Sequence, residues 1–572
     1  MSNNKLIAAI FYQIGEILEI KQQVWESRAY QKAARTIETL STDVEDIYNQ
    51  KGGLKGLMEI PGVGEGLAKK IEEFLKTGKI QKYQEVLKSV PSGLIDIMSI
   101  QGMGPKKASR LHKELKIDSV EKLEKAARDG KIRKLVGFGE KSEHDIIKGI
   151  ETFKRGQERM YLGDALSLAT EIVKNLKILK EIKKIEIAGS IRRRKETIGD
   201  IDILVISNKP SVVMDFFTKL PNIDLVQSKG QTKSSVTLKE GIDCDLRVLD
   251  EKSFGAALNY FTGSKEHNVH LRQIAIKKGW KLSEYGLFNK TDKQLAGKTE
   301  EEIYKKLGMS YIEPELRENV GEIETAQKNK LPKIIPYNSI KGDLHMHTNW
   351  SDGSNTIEEM VTAAVGFGYQ YIAITDHSKV ERQANGLDEK RILKYLEEIE
   401  KAKKKFPQIK ILAGSEVSIL KDGKLDFPKH ILEKLDWVVG SIHSGFKMPE
   451  KEMTERVLKA LDSGYVNLLG HPTGKIVNQR ESFEVDLEKI FEKAKELDIL
   501  MEINSSRRLD LNDSNIKKAK EFGLKFCIDT DAHSIEKLKR IELGISQARR
   551  GWLEEKDVVN CWVWEKLEKI IR

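Results

Sequence analysis

From residue 342 onward, short apolar runs end in polar residues seven times. In order they are Gly342-Asp343-Leu344-His345-Met346-His347, Ile372-Ala373-Ile374-Thr375-Asp376-His377 and Ile411-Leu412-Ala413-Gly414-Ser415-Glu416. Val438-Val439-Gly440-Ser441-Ile442-His443, Leu468-Leu469-Gly470-His471, Leu500-Met501-Glu502-Ile503-Asn504 and Phe526-Cys527-Ile528-Asp529-Thr530-Asp531-Ala532-His533 follow. Helix-like segments such as Glu389 to Lys405 and Leu487 to Leu497 lie between them. Strand–helix alternation of this kind predicts a parallel α/β barrel, with its site on the rim formed by the strands' C-terminal ends. Seven of the eleven histidines lie beyond residue 340, and six of those sit at these ends. Imidazoles with carboxylates, and no thiolates, suit Zn²⁺, Mn²⁺ or Fe²⁺ better than Mg²⁺ alone. Clustered cations of this kind activate water and clamp a phosphate ester. Asp352, in Ser351-Asp352-Gly353, is either a further ligand or a turn residue, and the ligand reading is favoured.

A second pattern stands upstream, between Gly189 and Val205. Asp200 and Asp202 are two apart in a run that alternates like a strand, so both carboxylates point to one face. Asp245 lies in another strand-like run, Cys244 to Leu249, with Asp243 competing for the same role. Two acids on one strand and one on its neighbour can hold two Mg²⁺ ions shared with substrate phosphates. Gly189-Ser190 ends the apolar stretch Ile185 to Ala188 and begins a turn whose backbone can approach a phosphate.

Residues 1–80 read as helices, with Ile7, Ile10, Phe11, Ile14, Ile17 and Leu18 at helical spacing. Pro61-Gly62-Val63-Gly64, followed by Lys69 and Lys70, and Gly102-Met103-Gly104-Pro105-Lys106-Lys107 both read as helix-hairpin-helix turns. Their backbone N–H groups would face a phosphate, giving a sequence-independent, salt-sensitive grip on DNA. Leu135-Val136-Gly137-Phe138-Gly139-Glu140 is a degenerate third copy. The charge agrees: residues 1–335 carry 59 Lys and Arg against 48 Asp and Glu, the remainder 39 against 40. A basic front half suits a polyanion. No apolar stretch is long enough to span a membrane and the N-terminus shows no signal pattern, which predicts a cytoplasmic protein. Three scattered cysteines exclude a disulfide framework.

Gly189-Ser190, Asp200-x-Asp202 and Tyr260-Phe261-Thr262-Gly263-Ser264 resemble the palm and thumb of a family X DNA polymerase of the polymerase β type, from residue 1 to about 315. The back half resembles the PHP (polymerase and histidinol phosphatase) family throughout. The resemblance implies a multidomain α+β and α/β chain. Its parts would be a helical lyase-like DNA-binding domain (1–80), fingers with a helix-hairpin-helix (81–150), a nucleotidyltransferase palm (151–250), a thumb (251–315), a linker (316–338) and a seven-stranded parallel barrel (339–572). The family pattern Asp-x-Arg fits Asp245-Leu246-Arg247 and selects Asp245 over Asp243, with Arg247 expected to pair with a palm aspartate. Gly189, Ser190, Arg193, Gly199, Arg247, Tyr260, Phe261, Gly263 and Asn268 would contact the nucleotide, Arg193 through its triphosphate. Gly62, Gly64, Lys69, Gly102, Gly104, Lys106 and Arg272 would contact DNA.

Lys70 falls at the family's Schiff-base lysine, which removes a 5′-deoxyribose phosphate; Trp25 and Glu26 replace a basic pair expected nearby. The PHP ligands would be His345, His347, Asp352, His377, Glu416, His443, His471, Asp531 and His533, holding three Mn²⁺ or Zn²⁺ ions. The resemblance therefore implies a monomeric polymerase that uses dNTPs to fill gaps or nicks in double-stranded DNA during repair. It would carry a 3′–5′ exonuclease, with abasic-site endonuclease or 3′-phosphatase action in prospect, and would be nucleoid-associated through DNA. Two rivals remain at this point: a DNA-targeted phosphoesterase with an inactive front half, and a non-catalytic DNA-end scaffold.

Overall fold

The structure, a computed structural model, describes residues 3–21, 23–38, 40, 43–50, 52–100, 103–135, 137–157 and 159–571. Two compact units emerge: 1–159 with 265–278, and 160–264 with 279–572.

The first unit is helical. The sequence spacing places Ile7, Phe11, Ile14 and Leu18 on one face of helix Asn3–Ile20, where they are buried with Tyr30, Ala33 and Ile37. The hairpin before helix Glu65–Thr77 turns through Gly62 (φ +88°), and Val63 plugs it from below, its N–H on the Ile60 carbonyl at 2.9 Å. Met103 makes the same bond to Ile100 (2.9 Å) ahead of helix Pro105–Leu115, and Phe138 to Leu135 (2.9 Å) ahead of helix Glu140–Gln157. The degenerate third stretch thus makes the same turn. Gly102 lies outside the described residues.

The second unit opens on a five-stranded sheet of β1 (Ile182–Ile187), β2 (Asp200–Ser207), β3 (Ile223–Lys229), β4 (Lys233–Leu238) and β5 (Asp243–Leu249), in the order β1-β2-β5-β4-β3. β2 and β5 run parallel, in a register that sets Asp202 beside Asp245 and Asp200 beside Asp243. Alternation drives this arrangement: Ile201, Ile203, Cys244 and Leu246 bury, so the intervening acids share the other face.

Helix Lys265–Lys277, within the stretch assigned to the thumb, groups with the N-terminal helices. The 316–338 stretch is not a linker. Arg317 and Glu322 are fully buried and Ile335 joins the barrel core. Its polar residues are internally paired: Arg317 with Glu300 at 2.5 Å, and Glu322 with the N–H groups of Asn319 (2.8 Å) and Val320 (2.7 Å). A polar composition therefore hid a folded segment.

The barrel strands are β6 (Gly342–Met346), β7 (Tyr371–Ile374), β8 (Lys410–Ser418), β9 (Trp437–Ser441), β10 (Leu468–Leu469), β11 (Leu500–Asn504) and β12 (Phe526–Asp529). All are parallel and neighbours in chain order, and a bridge from Met346 to Ala532 brings first and last together. Leu344, Tyr371, Leu412, Trp437, Leu468, Leu500 and Cys527 form one buried layer. A larger apolar cluster includes Ile372, Ile374, Ile399, Ile490, Phe491 and Ile545. The barrel also completes the palm: Val477, Leu509 and Leu543 enter the palm core, while Lys475–Glu196 and Arg507–Asp164 pair at 2.5 Å each.

Candidate active sites

Glu416, at the end of β8, is the hub of the barrel rim. Its Oε1 lies 3.0 Å from His443 Nε2 and 2.9 Å from His471 Nε2; its Oε2 lies 2.9 Å from His377 Nδ1, 3.5 Å from His345 Nε2 and 3.6 Å from His347 Nε2. His347 Nε2 also stands 3.2 Å from Asp531, and His533 Nε2 3.3 Å from Asp352. Three donor sets each draw their ligand atoms within 4.8 Å: His347, Asp352, His377 and His533; His345, His347 and Glu416; His377, Glu416 and His443. Each pair of sets shares one residue, which is how adjacent cations share bridging ligands.

The donors fit divalent cations. His345 Nε2, both ring nitrogens of His347, His377 Nδ1 and His471 Nδ1 are buried without a hydrogen-bond partner among the described residues. The close His377–Glu416 approach is misaligned for hydrogen bonding, as expected of groups aimed at a common point. Unpaired buried nitrogens are unfavourable unless something binds them. Burial and the neighbouring His533 and His377 push His347 down to about 3; burial and Arg508 do the same to His471. Both rings are therefore neutral, with lone pairs available. Burial alone would raise Glu416, but His443, His377 and His345 hold its carboxyl well below its ordinary range.

Neighbours aim the rings. Glu502 sits 2.6 Å from His345 Nδ1, Ser418 Oγ 2.8 Å from His443 Nδ1, and the Asp531 carbonyl 2.9 Å from His533 Nδ1, each leaving Nε2 for the cluster. Asn504 donates to Asp531 at 3.2 Å. Buried Asp376 accepts from the backbone N–H groups and hydroxyls of Thr348 and Ser351, fixing the loop that carries Asp352. His471 (φ +29°) and Asp531 (φ +51°) hold left-handed backbone conformations that cost side-chain-bearing residues energy.

In the palm, Asp202 is raised to about 7 by burial first, then by the charges of Asp200 and Asp245. Three acids repelling one another at one edge suit a cation. Asp245 is met by Lys233 at 2.8 Å and Arg247 at 3.5 Å, whereas Asp243 is engaged by Gln227 (2.7 Å) and Thr237 (2.9 Å). Asp245 thus faces cationic side chains and Asp243 neutral ones. Gly189 (φ +65°) comes so close that an added Cβ would lie 2.6 Å from Asp202 Oδ2. Ser190 Oγ beside it is buried without a partner among the described residues. Gly199 directly precedes β2. Tyr260 and Phe261 pack edge to face at 5.1 Å, Arg247 stacks 4.4 Å over Phe261, and Gly263 (φ +72°) ends the helix that carries both aromatics.

Arg193 is already paired. Its Nε pairs with Glu318 at 3.0 Å and its NH1 donates to the Thr262 carbonyl, so a triphosphate must compete with Glu318 for it.

Four family models match this chain: a helix-hairpin-helix domain over 2–80, a SAM-like helix-hairpin-helix tandem over 94–152, a DNA polymerase beta thumb over 257–318 and a PHP domain over 343–506. The chain is 36% identical over 575 residues to the DNA polymerase/3′-5′ exonuclease PolX of Bacillus subtilis, covering 100% of this chain and 99% of the relative. It belongs to the family X DNA polymerases that carry a PHP domain. The chain is also 31% identical over 231 residues to a probable phosphatase of Thermoanaerobacter sp., covering 38% of this chain and 89% of that one. A probable phosphatase of Aliivibrio fischeri is 29% identical over 232 residues, 38% and 88% respectively.

In this family X polymerase the DNA-facing candidates are less enclosed. Gly64 and Gly104 are the N-caps of their helices, and Lys106 is exposed. Lys69 pairs with Glu65 at 2.8 Å, and Lys70 donates to the Gly66 carbonyl at 3.1 Å. Asn268 and Arg272 lie on the helix that groups with the N-terminal unit. Sequence reading missed Ser418, Asp376 and Glu318, since their roles arise from residues distant in the chain.

Proposed function

We propose that this chain is a DNA-directed DNA polymerase that fills short gaps during DNA repair, joined to a 3′–5′ exonuclease in the barrel that trims the same class of DNA end. The observation that carries this reading is the pair of separate acidic centres: a carboxylate edge in the palm and a His/Glu/Asp cluster on the barrel rim. The full-length similarity to a relative named for both activities supports it. dNTPs and gapped or nicked DNA are the substrates, the chain acts as a monomer, and it works in the cytoplasm on nucleoid DNA.

Asp200, Asp202 and Asp245 would hold two Mg²⁺ ions in the palm, and His345, His347, Asp352, His377, Glu416, His443, His471, Asp531 and His533 three Mn²⁺ or Zn²⁺ ions in the barrel. When bound, such ions supply Lewis acidity and lower the barrier to deprotonating the attacking oxygen. The protein's own groups do the rest. Asp245 would help the primer 3′-hydroxyl attack the α-phosphate. The Gly189 backbone and the Ser190 hydroxyl receive phosphate oxygens. Arg247 and Arg193 balance the triphosphate charge once it displaces their carboxylate partners. The bulk of Tyr260 and Phe261 disfavours a 2′-hydroxyl.

The chain's likeness to two probable phosphatases, taken with its PHP domain over 343–506, favours a second activity at the barrel rim, removal of a 3′-terminal phosphate. One experiment tests both parts. A 5′-labelled primer opposite a short gap, ending in 3′-hydroxyl or 3′-phosphate, is incubated with Mn²⁺, with and without dNTPs. Extension should vanish only in Asp202→Ala, and shortening and dephosphorylation only in His345→Ala. A wild-type chain that shortens but never extends would sink the polymerase half of the proposal.

A further inference from the structure

Two arginines on the barrel rim lie outside the donor sets described so far. Arg508 lies beyond the end of β11, with its Nε 3.6 Å from the Asp531 carboxylate. Its side chain is 18% exposed, and its NH1 nitrogen is shut from solvent without a hydrogen-bond partner among the described residues. Arg480, in the loop after β10, stacks its guanidinium 3.9 Å over the Phe446 ring and donates through Nε to the Gly474 carbonyl at 2.8 Å. Arg480 is depressed first by burial and then by the charge of Arg508, so the two cations sense each other. Asp510, whose charge both arginines sense, is taken up by the N–H and hydroxyl of Thr473 at 2.9 Å each.

This is an unfavourable place for a guanidinium. A buried donor without an acceptor loses its solvation and gains nothing for it. A second guanidinium repels it, and the adjoining donor set is built to take divalent cations. A single ion pair at 3.6 Å, shared with a carboxylate that also faces His347, does not offset that. An anion placed between Arg508 and the donor set does, and a phosphate offers oxygens that match the guanidinium fork.

We propose that Arg508 binds the scissile phosphate in the barrel site, with NH1 donating to a non-bridging oxygen, and that Arg480 adds positive potential behind it. The proposal rests on the phosphoesterase reading of the barrel. In the exonuclease step the oxygen of one water bonds to phosphorus as the bond from phosphorus to the 3′ oxygen breaks. Net, water's hydroxyl ends on the released nucleotide's phosphate and its proton on the leaving 3′ oxygen. Arg508 stabilises the charge that gathers on the non-bridging oxygens meanwhile. Arg508 would then touch the substrate, whereas Asn504 and Glu502 act on the donors.

The test uses the full chain loaded with Mn²⁺, as wild type, Arg508→Gln and Arg508→Lys. Three quantities are read: inorganic phosphate affinity by titration calorimetry, bound Mn²⁺ by elemental analysis, and hydrolysis of strands ending in 3′-hydroxyl or 3′-phosphate. Arg508→Gln should weaken phosphate binding at least tenfold and slow hydrolysis about a hundredfold with Mn²⁺ content unchanged, and Arg508→Lys should fall between. Loss on the 3′-hydroxyl strand alone assigns the bound group as an internal diester, and loss on both includes a terminal monoester. The proposal is overturned if Arg508→Gln binds phosphate as wild type does. It is equally overturned if Mn²⁺ content falls in step with activity, since Arg508 would then only order Asp531. A wild type that binds phosphate but hydrolyses neither strand overturns the phosphoesterase reading and this proposal with it.

Discussion

The palm and the barrel solve the same problem, holding cations beside a phosphate, in opposite ways. The palm offers carboxylates alone, on two adjacent strands, with Asp245 leaning on Lys233 and Arg247. Its acids form no donor set within 4.8 Å among the described residues. The barrel sets imidazoles against carboxylates, buried and with three of the rings individually aimed by Glu502, Ser418 and the Asp531 carbonyl. The difference teaches which charges can be left in place. Like-charged carboxylates are tolerable only when partly solvated or countered by side chains that can leave, so the palm is built to receive ions together with a nucleotide. Imidazoles that face carboxylates tolerate burial, so the barrel is built to retain its ions between turnovers.

The largest expected effect breaks the two apart by metal removal. After dialysis against a chelator, Mg²⁺ should restore extension at once. Shortening should stay depressed by about a thousandfold until Mn²⁺ or Zn²⁺ is added, because hard oxygen sites and imidazole sites select different ions. Timed assays with elemental analysis check this. Recovery of both activities together on Mg²⁺ would erase the contrast.

The next effect concerns how the palm loop is held. Burial alone would raise the Glu300 carboxyl, but Arg317 at 2.5 Å and Arg192 at 2.6 Å hold it down to about 2. Its folded value lies below the ordinary 4.5, so its contribution to stability is complete above about pH 4.5 and is lost as pH falls toward 2. Glu300→Gln leaves two buried guanidiniums short of a charge and should destabilise by about 3–5 kcal/mol near pH 7. Chemical denaturation of both chains at pH 7 and pH 3 should show the gap shrinking at the lower pH. A gap that does not depend on pH would remove the charge from the explanation.

Much of this was legible in the sequence, for a definite reason. The barrel strands are buried on both faces, so they read as unbroken apolar runs, and their ligands fall at the ends of those runs. The palm acids were legible through alternation, because Ile201 and Cys244 must bury. What was not legible depends on approach in space. Nothing in the spacing along the chain marks Glu318 as the partner of Arg193, or Arg508 as a neighbour of Asp531. The 316–338 stretch misled because Arg317 and Glu322 look like solvent-facing residues until their partners are placed around them.

Smaller in effect is Gly189→Ala. The substitution puts a methyl 2.6 Å from Asp202 Oδ2 and forces alanine to φ +65°, so the carboxylate must turn away or the loop must shift. Extension should fall about a hundredfold by primer assay, with shortening by the barrel unchanged. Equal loss of both activities would mean a folding defect rather than a displaced carboxylate.

The smallest effect sharpens the claim that the barrel is aimed rather than merely crowded. Glu502 accepts from His345 Nδ1 at 2.6 Å and lies next to the His471 backbone N–H, so it fixes one ring and the turn that presents another. Glu502→Gln keeps the shape but offers an amide where a full charge had fixed the tautomer of His345. Loss of such a partner weakens metal affinity by about 10–100-fold. Competition with a metal-sensitive dye should show that loss, and raising free Mn²⁺ should restore hydrolysis toward wild type. A rate that stays low at saturating Mn²⁺ would place Glu502 in the chemical step, and an unchanged affinity would mean that the surrounding donors alone suffice to aim His345.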